Sequence, residues 1–169
     1  MQHTLTVLVE NKPGVLARVS AMFSNRGFNI HSLAVGPTHR EGLSRITLVV
    51  DAPELAQIKK QLNKLVNVIK VQEMEAAEAL EREVMIVRVS AQPANRGEVR
   101  DTASLFDARV IDISATAITF EIAGTPQHLH TFLDHLSPYG IVDLVKSGRI
   151  AMRRESSLTP APISAGAGK

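Results

Sequence analysis

Residues 10–30 restrict the possible folds of this chain more than any other segment. Their sequence, ENKPGVLARVSAMFSNRGFNI, opens with a polar loop, begins a helix pattern at Pro13 and Gly14, and turns at Gly27 into a strand pattern. Proline is favoured at the first helical position, and glycine just beyond the last one. Since a strand pattern also precedes the loop, the segment predicts a strand–helix–strand unit.

Apolar periodicity extends this unit through the first half of the chain. Residues 4–9 alternate like a half-buried strand, and strands are also predicted over residues 28–37, 43–50 and 67–72. Two helices each carry one apolar stripe: Val15, Leu16, Val19, Met22 and Phe23 on the first, and Leu55, Ile58, Leu62 and Leu65 on the second. The order is βαββαβ, the ferredoxin-like arrangement.

The second half repeats this order. Strand patterns cover residues 84–90, 108–114, 117–123 and 141–145, and helix patterns begin near Asn95 and at Thr125. We therefore predict an α+β chain of two ferredoxin-like βαββαβ domains, at residues 1–74 and 84–154. Residues 75–83 are predicted to be a solvated linker. The Ser-, Pro-, Ala- and Gly-rich residues 155–169 are predicted to be a disordered tail.

Composition argues against several classes of function. The formal net charge is +2 and aromatic residues make up 4% of the chain, which does not favour nucleic-acid binding. The sequence has no cysteine, which excludes disulfides, thiolate metal sites and a cysteine nucleophile. No apolar run reaches about 18 residues and no signal-peptide pattern is found, so we expect a cytoplasmic protein that does not contact a membrane.

The predicted start of the first helix is the best candidate for a binding site. A helix start leaves backbone N–H groups without intrahelical partners, which makes it a natural site for an anion. Gly14 has no β-carbon and lets a ligand approach the N–H groups of Gly14, Val15 and Leu16. Asn29 offers both a donor and an acceptor to the amine and carboxylate of an amino acid. An ordinary helix cap beside a turn-forming asparagine explains the same spacing.

Geometry links this site to dimerisation. A helix of about thirteen residues rises about 20 Å, so Gly14 and Asn29 of one chain cannot share a small ligand. The strand after Asn29 is an edge strand of the predicted 4-1-3-2 sheet, and its open backbone groups invite pairing with a second copy. Two-fold antiparallel pairing would bring Asn29 of one chain towards Gly14 of the other. We therefore expect a homodimer through this edge strand, with two equivalent sites at its interface.

Other candidate sites are weaker. His130 and Asp134 have the spacing of two metal ligands on a helix, but no third ligand is evident. Arg149, Arg153 and Arg154 form a basic cluster, which is expected to be solvent-exposed or, alternatively, to bind an acidic partner surface. No residue set suits covalent catalysis, so the sequence argues against an enzyme in its own right.

Several of these segments resemble one family. The N-terminal match carries HTLTVLVENKPGVLARVSAMFSNRGFNIHSLAVGPT, then SRITLVV and KQLNKLVNVIKV, and the second half adds EREVMIVRVSA, ARVIDISATAITFEIAG and KSGRIAMRR. Over residues 2–154 the chain resembles the small, regulatory subunit of acetolactate synthase (acetohydroxyacid synthase). The resemblance implies an N-terminal ACT domain, which is a βαββαβ amino-acid-binding module, followed by a second ferredoxin-like domain.

The resemblance also implies a function. The family member is not itself catalytic; it activates a catalytic subunit and confers feedback inhibition by valine, in some members by leucine or isoleucine, in branched-chain amino acid biosynthesis. Thiamine diphosphate, Mg²⁺ and FAD are expected on the catalytic subunit, and no cofactor on this chain. The family's valine-site residues match six positions here: Asn11, Gly14, Val15, Leu16, Asn29 and Ile30.

Two other functions remain as alternatives. A free-standing ACT protein that senses an amino acid and acts on another enzyme or a transcription factor explains the first half well but the second half poorly. RNA binding through a ferredoxin-like sheet requires aromatic residues on the central strands, where this sequence has Val, Leu and Thr.

Overall fold

The computed structural model describes residues 2–155, and its N-terminal half is a four-stranded antiparallel sheet with two helices. The elements are β1 (Gln2–Glu10), α1 (Val15–Ser24), β2 (Asn29–Pro37), β3 (Leu43–Asp51), α2 (Leu55–Leu62) and β4 (Val68–Met74). The strand order is β2-β3-β1-β4. The predicted βαββαβ order and the predicted edge position of β2 are therefore confirmed.

The C-terminal half has the same architecture with one additional strand. Its elements are β5 (Ala79–Ser90), α3 (Arg96–Ser104), β6 (Arg109–Ile113), β7 (Ala117–Gly124), α4 (Pro126–Leu136), β8 (Ile141–Lys146) and β9 (Ile150–Arg153). The order is β6-β7-β5-β8, and β9 pairs with the first part of β5. Thr125 caps α4 as predicted, because its hydroxyl accepts a hydrogen bond from the His128 N–H at 3.2 Å.

Each sheet buries one face under its two helices. Leu5, Val7 and Leu48 are fully buried in the first core, and Val87, Phe120 and Phe132 in the second. On α1 the predicted apolar stripe is buried apart from Leu16, which is 40% exposed. None of the helices in residues 2–155 is long and apolar enough to cross a membrane.

The predicted linker is wrong in its second half. Ala79 begins strand β5, and the register with β9 runs from Ala79 opposite Arg153 to Arg82 opposite Ile150. Ala79 is buried in a small cluster with Met74 and Ala151. The segment's Ala- and Glu-rich composition does not favour a strand, but pairing with a segment about 70 residues away overrides local preference. The domain limits 1–74 and 84–154 stay predictions, and the predicted tail lies outside the described residues beyond Glu155.

Candidate functional site

The first helix begins at a glycine in a left-handed conformation. Gly14 has φ 82° and ψ −5°, and the helix starts at the next residue, Val15. Glycine adopts this conformation at little cost and has no side chain with which to cap the helix. The Val15 N–H donates only a long bond of 3.4 Å to the Lys12 carbonyl. The first turn of α1 thus keeps N–H groups without backbone partners among the described residues, an arrangement that favours an anion.

Arg18 lies beside this helix start. A β-carbon built on Gly14 would lie 3.9 Å from Arg18 Nη2. Helical side chains lean towards the helix N-terminus, which brings residue 18 back over residue 14, one turn earlier. The site prediction from sequence missed Arg18, although its position four residues after Gly14 was the signal that would have revealed it.

A short polar network holds Arg18 in place. Its Nη1 donates to Asn67 Oδ1, and Asn67 Nδ2 donates to Glu10 Oε2 at 2.7 Å. Lys12 Nζ also lies 2.9 Å from Glu10 Oε2. The hydrogen bonds from Lys12 and Asn67 hold the pKa of Glu10 below its usual value. In the part of the chain that the structure describes, Arg18 bonds this neutral amide and no carboxylate, so its positive charge stays available to a ligand.

The predicted site residues of the first loop cluster here. The Asn11 N–H donates to the Gly42 carbonyl at 2.8 Å, which ties the loop to the β2–β3 hairpin. Val15 is only 5% exposed and packs into the core, so only its backbone can face a ligand. Leu16 is the exposed apolar side chain of this cluster.

Asn29 and Ile30 lie at the opposite end of the same sheet. Asn29 is opposite Asp51 on β3, and Asp51 is opposite Gln2 at the start of β1. Gly14 follows the other end of β1, at Glu10. A strand rises about 3.4 Å per residue, so these ends are separated by roughly 27 Å. Within one chain, the structure therefore does not bring Asn29 and Ile30 together with Gly14.

Strand β2 forms an open edge of the N-terminal sheet between these two ends. It pairs only with β3 in the described sheet, and its exposure alternates along its length. Leu33 and Val35 point to the same face as the core residues Leu48 and Ile46 but are 36% and 49% exposed. An edge strand with exposed apolar residues is suited to pairing with another strand.

The weaker candidates lie in the C-terminal half of the chain. His130 and Asp134 are 3.5 Å apart on an exposed helix face, and residues 2–155 contain no group of three or more His, Cys, Asp or Glu side chains that could hold a metal. The expectation of an exposed arginine cluster is wrong for Arg149, whose side chain is 21% exposed and donates to Thr4 Oγ1 at 3.1 Å and Glu81 Oε1 at 3.4 Å. These partners are distant in sequence, so composition did not reveal them.

The family of the chain follows from comparison with known proteins. Residues 5–70 match the model of the acetohydroxyacid synthase (AHAS) small subunit-like ACT domain, and residues 82–155 match the model of the small subunit of acetolactate synthase. The acetolactate synthase small subunit of Mycolicibacterium smegmatis is 50% identical over 155 residues, which cover 90% of this chain and 91% of that protein. The chain belongs to the acetolactate synthase small-subunit family.

Further comparisons support this assignment. The probable acetolactate synthase small subunit of Archaeoglobus fulgidus is 46% identical over 156 residues, which cover 91% of this chain and 98% of that protein. The crystal structure of the Thermotoga maritima small subunit superposes with a TM-score of 0.83 at 32% identity, covering 91% of this chain and 98% of that chain. The family resemblance and the N-terminal ACT domain predicted from the sequence are therefore confirmed.

Proposed function

We propose that this chain is the regulatory subunit of a cytoplasmic acetolactate synthase. In this proposal it activates the catalytic subunit and confers inhibition by L-valine, the end product of one branch of branched-chain amino acid biosynthesis. The observation that carries the proposal is the uncapped start of α1 at Gly14, next to the uncompensated charge of Arg18. These groups suit the carboxylate of a free amino acid.

The rest of the site requires a second copy of the chain. Leu33 is the midpoint of β2, so antiparallel pairing of two β2 strands about Leu33 places Asn29 opposite Pro37 of the second copy. Pro37 is opposite Ser44, and Ser44 is opposite Val9, at the end of the sheet that leads to Gly14. Such a homodimer would complete two equivalent sites, each with the helix start of one chain and Asn29 of the other.

Each group then has one role towards the ligand. The first N–H groups of α1 and the Arg18 guanidinium bind the carboxylate, and Asn29 accepts a hydrogen bond from the ammonium group. Asn11 borders the polar end of the site. Leu16 and Ile30 provide apolar surface for the branched side chain. This division supports valine as the effector, while leucine and isoleucine differ from it by a group worth only about 1–3 kcal/mol in an apolar pocket.

The chemistry of the holoenzyme belongs to its catalytic subunit in this proposal. Thiamine diphosphate, Mg²⁺ and FAD are assigned there, and this chain contributes regulation. A free-standing amino-acid sensor is the less favoured alternative, because both domains match the small subunit and the match to single relatives extends over about nine-tenths of the chain.

Two measurements test the proposal. Calorimetric titration of the purified chain with L-valine is expected to show saturable binding near one valine per chain. Acetolactate formation by the catalytic subunit is expected to rise when this chain is added and to fall again with valine. A chain that neither binds valine nor changes the activity of the catalytic subunit would refute the proposal.

A further inference from the structure

A loop of the C-terminal domain packs directly on strand β2. The loop connects β8 to β9 and contains Ser147, Gly148 and Arg149. A β-carbon built on Gly148 would lie only 2.9 Å from the Leu33 carbonyl oxygen and 3.2 Å from Ser32 Oγ. Gly148 also has a left-handed φ of 84°. Glycine therefore permits both the conformation and the close approach of the two backbones.

Hydrogen bonds fix the loop to the N-terminal sheet. The Arg149 N–H donates to Ser32 Oγ at 2.8 Å, and Arg149 Nη1 donates to Thr4 Oγ1 at 3.1 Å. The Thr4 hydroxyl donates in turn to Glu81 Oε1 at 2.9 Å. Thr4 is 5% exposed, and the Arg149 and Glu81 side chains are 21% and 17% exposed, so this cluster is partly shielded from water. Buried polar contacts of this kind hold a defined relative position because a shift would leave donors and acceptors unpaired.

The other side of the loop is fixed to the C-terminal sheet. The Ser147 N–H donates to the Val84 carbonyl at 2.9 Å, and the Val84 N–H donates to Ser147 Oγ at 3.0 Å. Val84 lies on β5, the strand that pairs with β7, β8 and β9. A continuous set of contacts thus runs from the middle of β2, through three loop residues, to a central strand of the C-terminal domain.

We infer that this loop, residues 147–149, couples effector binding at the ACT domain to the C-terminal domain. The inference rests on the proposed function, because it concerns how the same site regulates the enzyme. Ser32 follows the site residue Asn29 by three positions on one strand, so a ligand that shifts or orders β2 also moves the surface on which Gly148 lies. Since close-packed contacts do not yield freely, the loop and β5 move with it. For this coupling to inhibit the enzyme, valine must bind more tightly to the arrangement of this chain in which the enzyme is less active.

Two glycine substitutions separate coupling from backbone strain. Gly148→Ala adds a methyl group that collides with β2. Gly140→Ala is the matched control, because Gly140 also has a left-handed φ, 97°, yet its β-carbon would meet only Ser90 Cβ at an ordinary 3.7 Å. Both variants are expected to bind valine and to activate the catalytic subunit. With Gly148→Ala, the valine concentration needed to inhibit the enzyme is expected to rise at least about fivefold. With Gly140→Ala, it is expected to match that of the unmodified chain.

A milder substitution tests the same coupling if Gly148→Ala does not fold. Ser32→Ala removes the acceptor for the Arg149 N–H without adding bulk, and it is expected to reduce inhibition in the same direction, with valine binding by the isolated chain changed less than about threefold. Full inhibition in Ser32→Ala, and in Gly148→Ala where it folds, would overturn the coupling and leave the proposed function intact. If the unmodified chain does not bind valine, the proposed function fails, and the inference fails with it.

Discussion

Arg18 lies within 3.9 Å of the position that a β-carbon on residue 14 would occupy, so its guanidinium group is beside the N-terminus of α1. Two sources of positive potential, the helix start and an arginine, therefore coincide at one exposed point of the ACT domain. Asn67 holds the arginine through a neutral amide, which positions the side chain without neutralising it.

The first prediction concerns Arg18. Arg18→Gln is expected to weaken valine binding by about 1.5–3 kcal/mol, or roughly 10- to 150-fold in Kd, because a charge-assisted hydrogen bond to the carboxylate is lost. Arg26→Gln is a matched control, since Arg26 lies just beyond the C-terminal end of α1 and contacts the Met22 carbonyl and Gln61 there. Calorimetric titration with L-valine measures the Kd of both variants. An equal loss of affinity in the two would contradict a role for Arg18 in the site.

The second prediction concerns Gly14. Gly14→Asp is expected to abolish the response to valine while activation of the catalytic subunit persists, because the new carboxylate occupies the helix N-terminus and pairs with Arg18. Gly14→Asn is the control, since asparagine tolerates a left-handed conformation about as well and carries no charge. A smaller loss of inhibition in Gly14→Asn is expected in acetolactate assays. Loss of activation in Gly14→Asp would instead indicate a folding defect.

The third prediction tests whether each site is shared between two chains. Asn29→Ala alone is expected to cost about 1–3 kcal/mol of valine binding, and Gly14→Asp alone is expected to remove it. In a mixed dimer of the two variants, one interface site combines an intact Gly14 with an intact Asn29, so one valine per dimer is expected to bind with the Kd of the unmodified chain. Calorimetry of dimers purified with two different affinity tags measures this stoichiometry and Kd. If the mixed dimer binds valine only with the weakened affinity of Asn29→Ala, the sites do not combine Gly14 of one chain with Asn29 of the other.

Local patterns predicted most of the fold. Gly27, Thr125 and Pro126 mark helix ends through their own backbone and capping preferences, which act within a few residues. Pro13, predicted at the first helical position, instead lies two residues before α1 begins at Val15. The distance between Gly14 and Asn29 followed from the length of a helix, and the structure places the two residues at opposite ends of the sheet.

Some features that depend on contacts between distant parts of the sequence were not predicted. The first part of β5 is a strand because β9 pairs with it, and Arg149 is partly buried because it donates to Thr4 on β1 and to Glu81 on β5. The contact of Gly148 with Leu33 joins positions more than 100 residues apart, and a glycine in a sequence does not reveal which backbone approaches it. Such contacts follow from domain packing, so a single sequence gives little local signal for them.

The fourth prediction concerns pH and Glu10. Because hydrogen bonds from Lys12 and Asn67 lower the pKa of Glu10, its ionised form stabilises the folded state above the unfolded pKa of about 4.3. This contribution is lost as the pH falls through the lower, folded pKa. The difference in free energy of unfolding between the unmodified chain and Glu10→Gln is therefore expected to shrink as the pH falls below about 4.3, measured by urea titration. A difference that does not change with pH would contradict this role for Glu10.

The last prediction concerns the open edge of β2. Val35→Lys is expected to yield a monomer, because a lysine on an edge strand disfavours pairing with a second strand and its charge would be desolvated in the dimer. Val66→Lys is the matched control, since Val66 is a valine that is 94% exposed and lies outside every strand. Sedimentation equilibrium is expected to show a monomer for Val35→Lys and a dimer for Val66→Lys. Valine binding is expected to be lost only with the dimer, because Gly14 and Asn29 of one chain lie at opposite ends of the sheet. A monomeric Val35→Lys chain that binds valine with unchanged affinity would show that one chain holds the complete site.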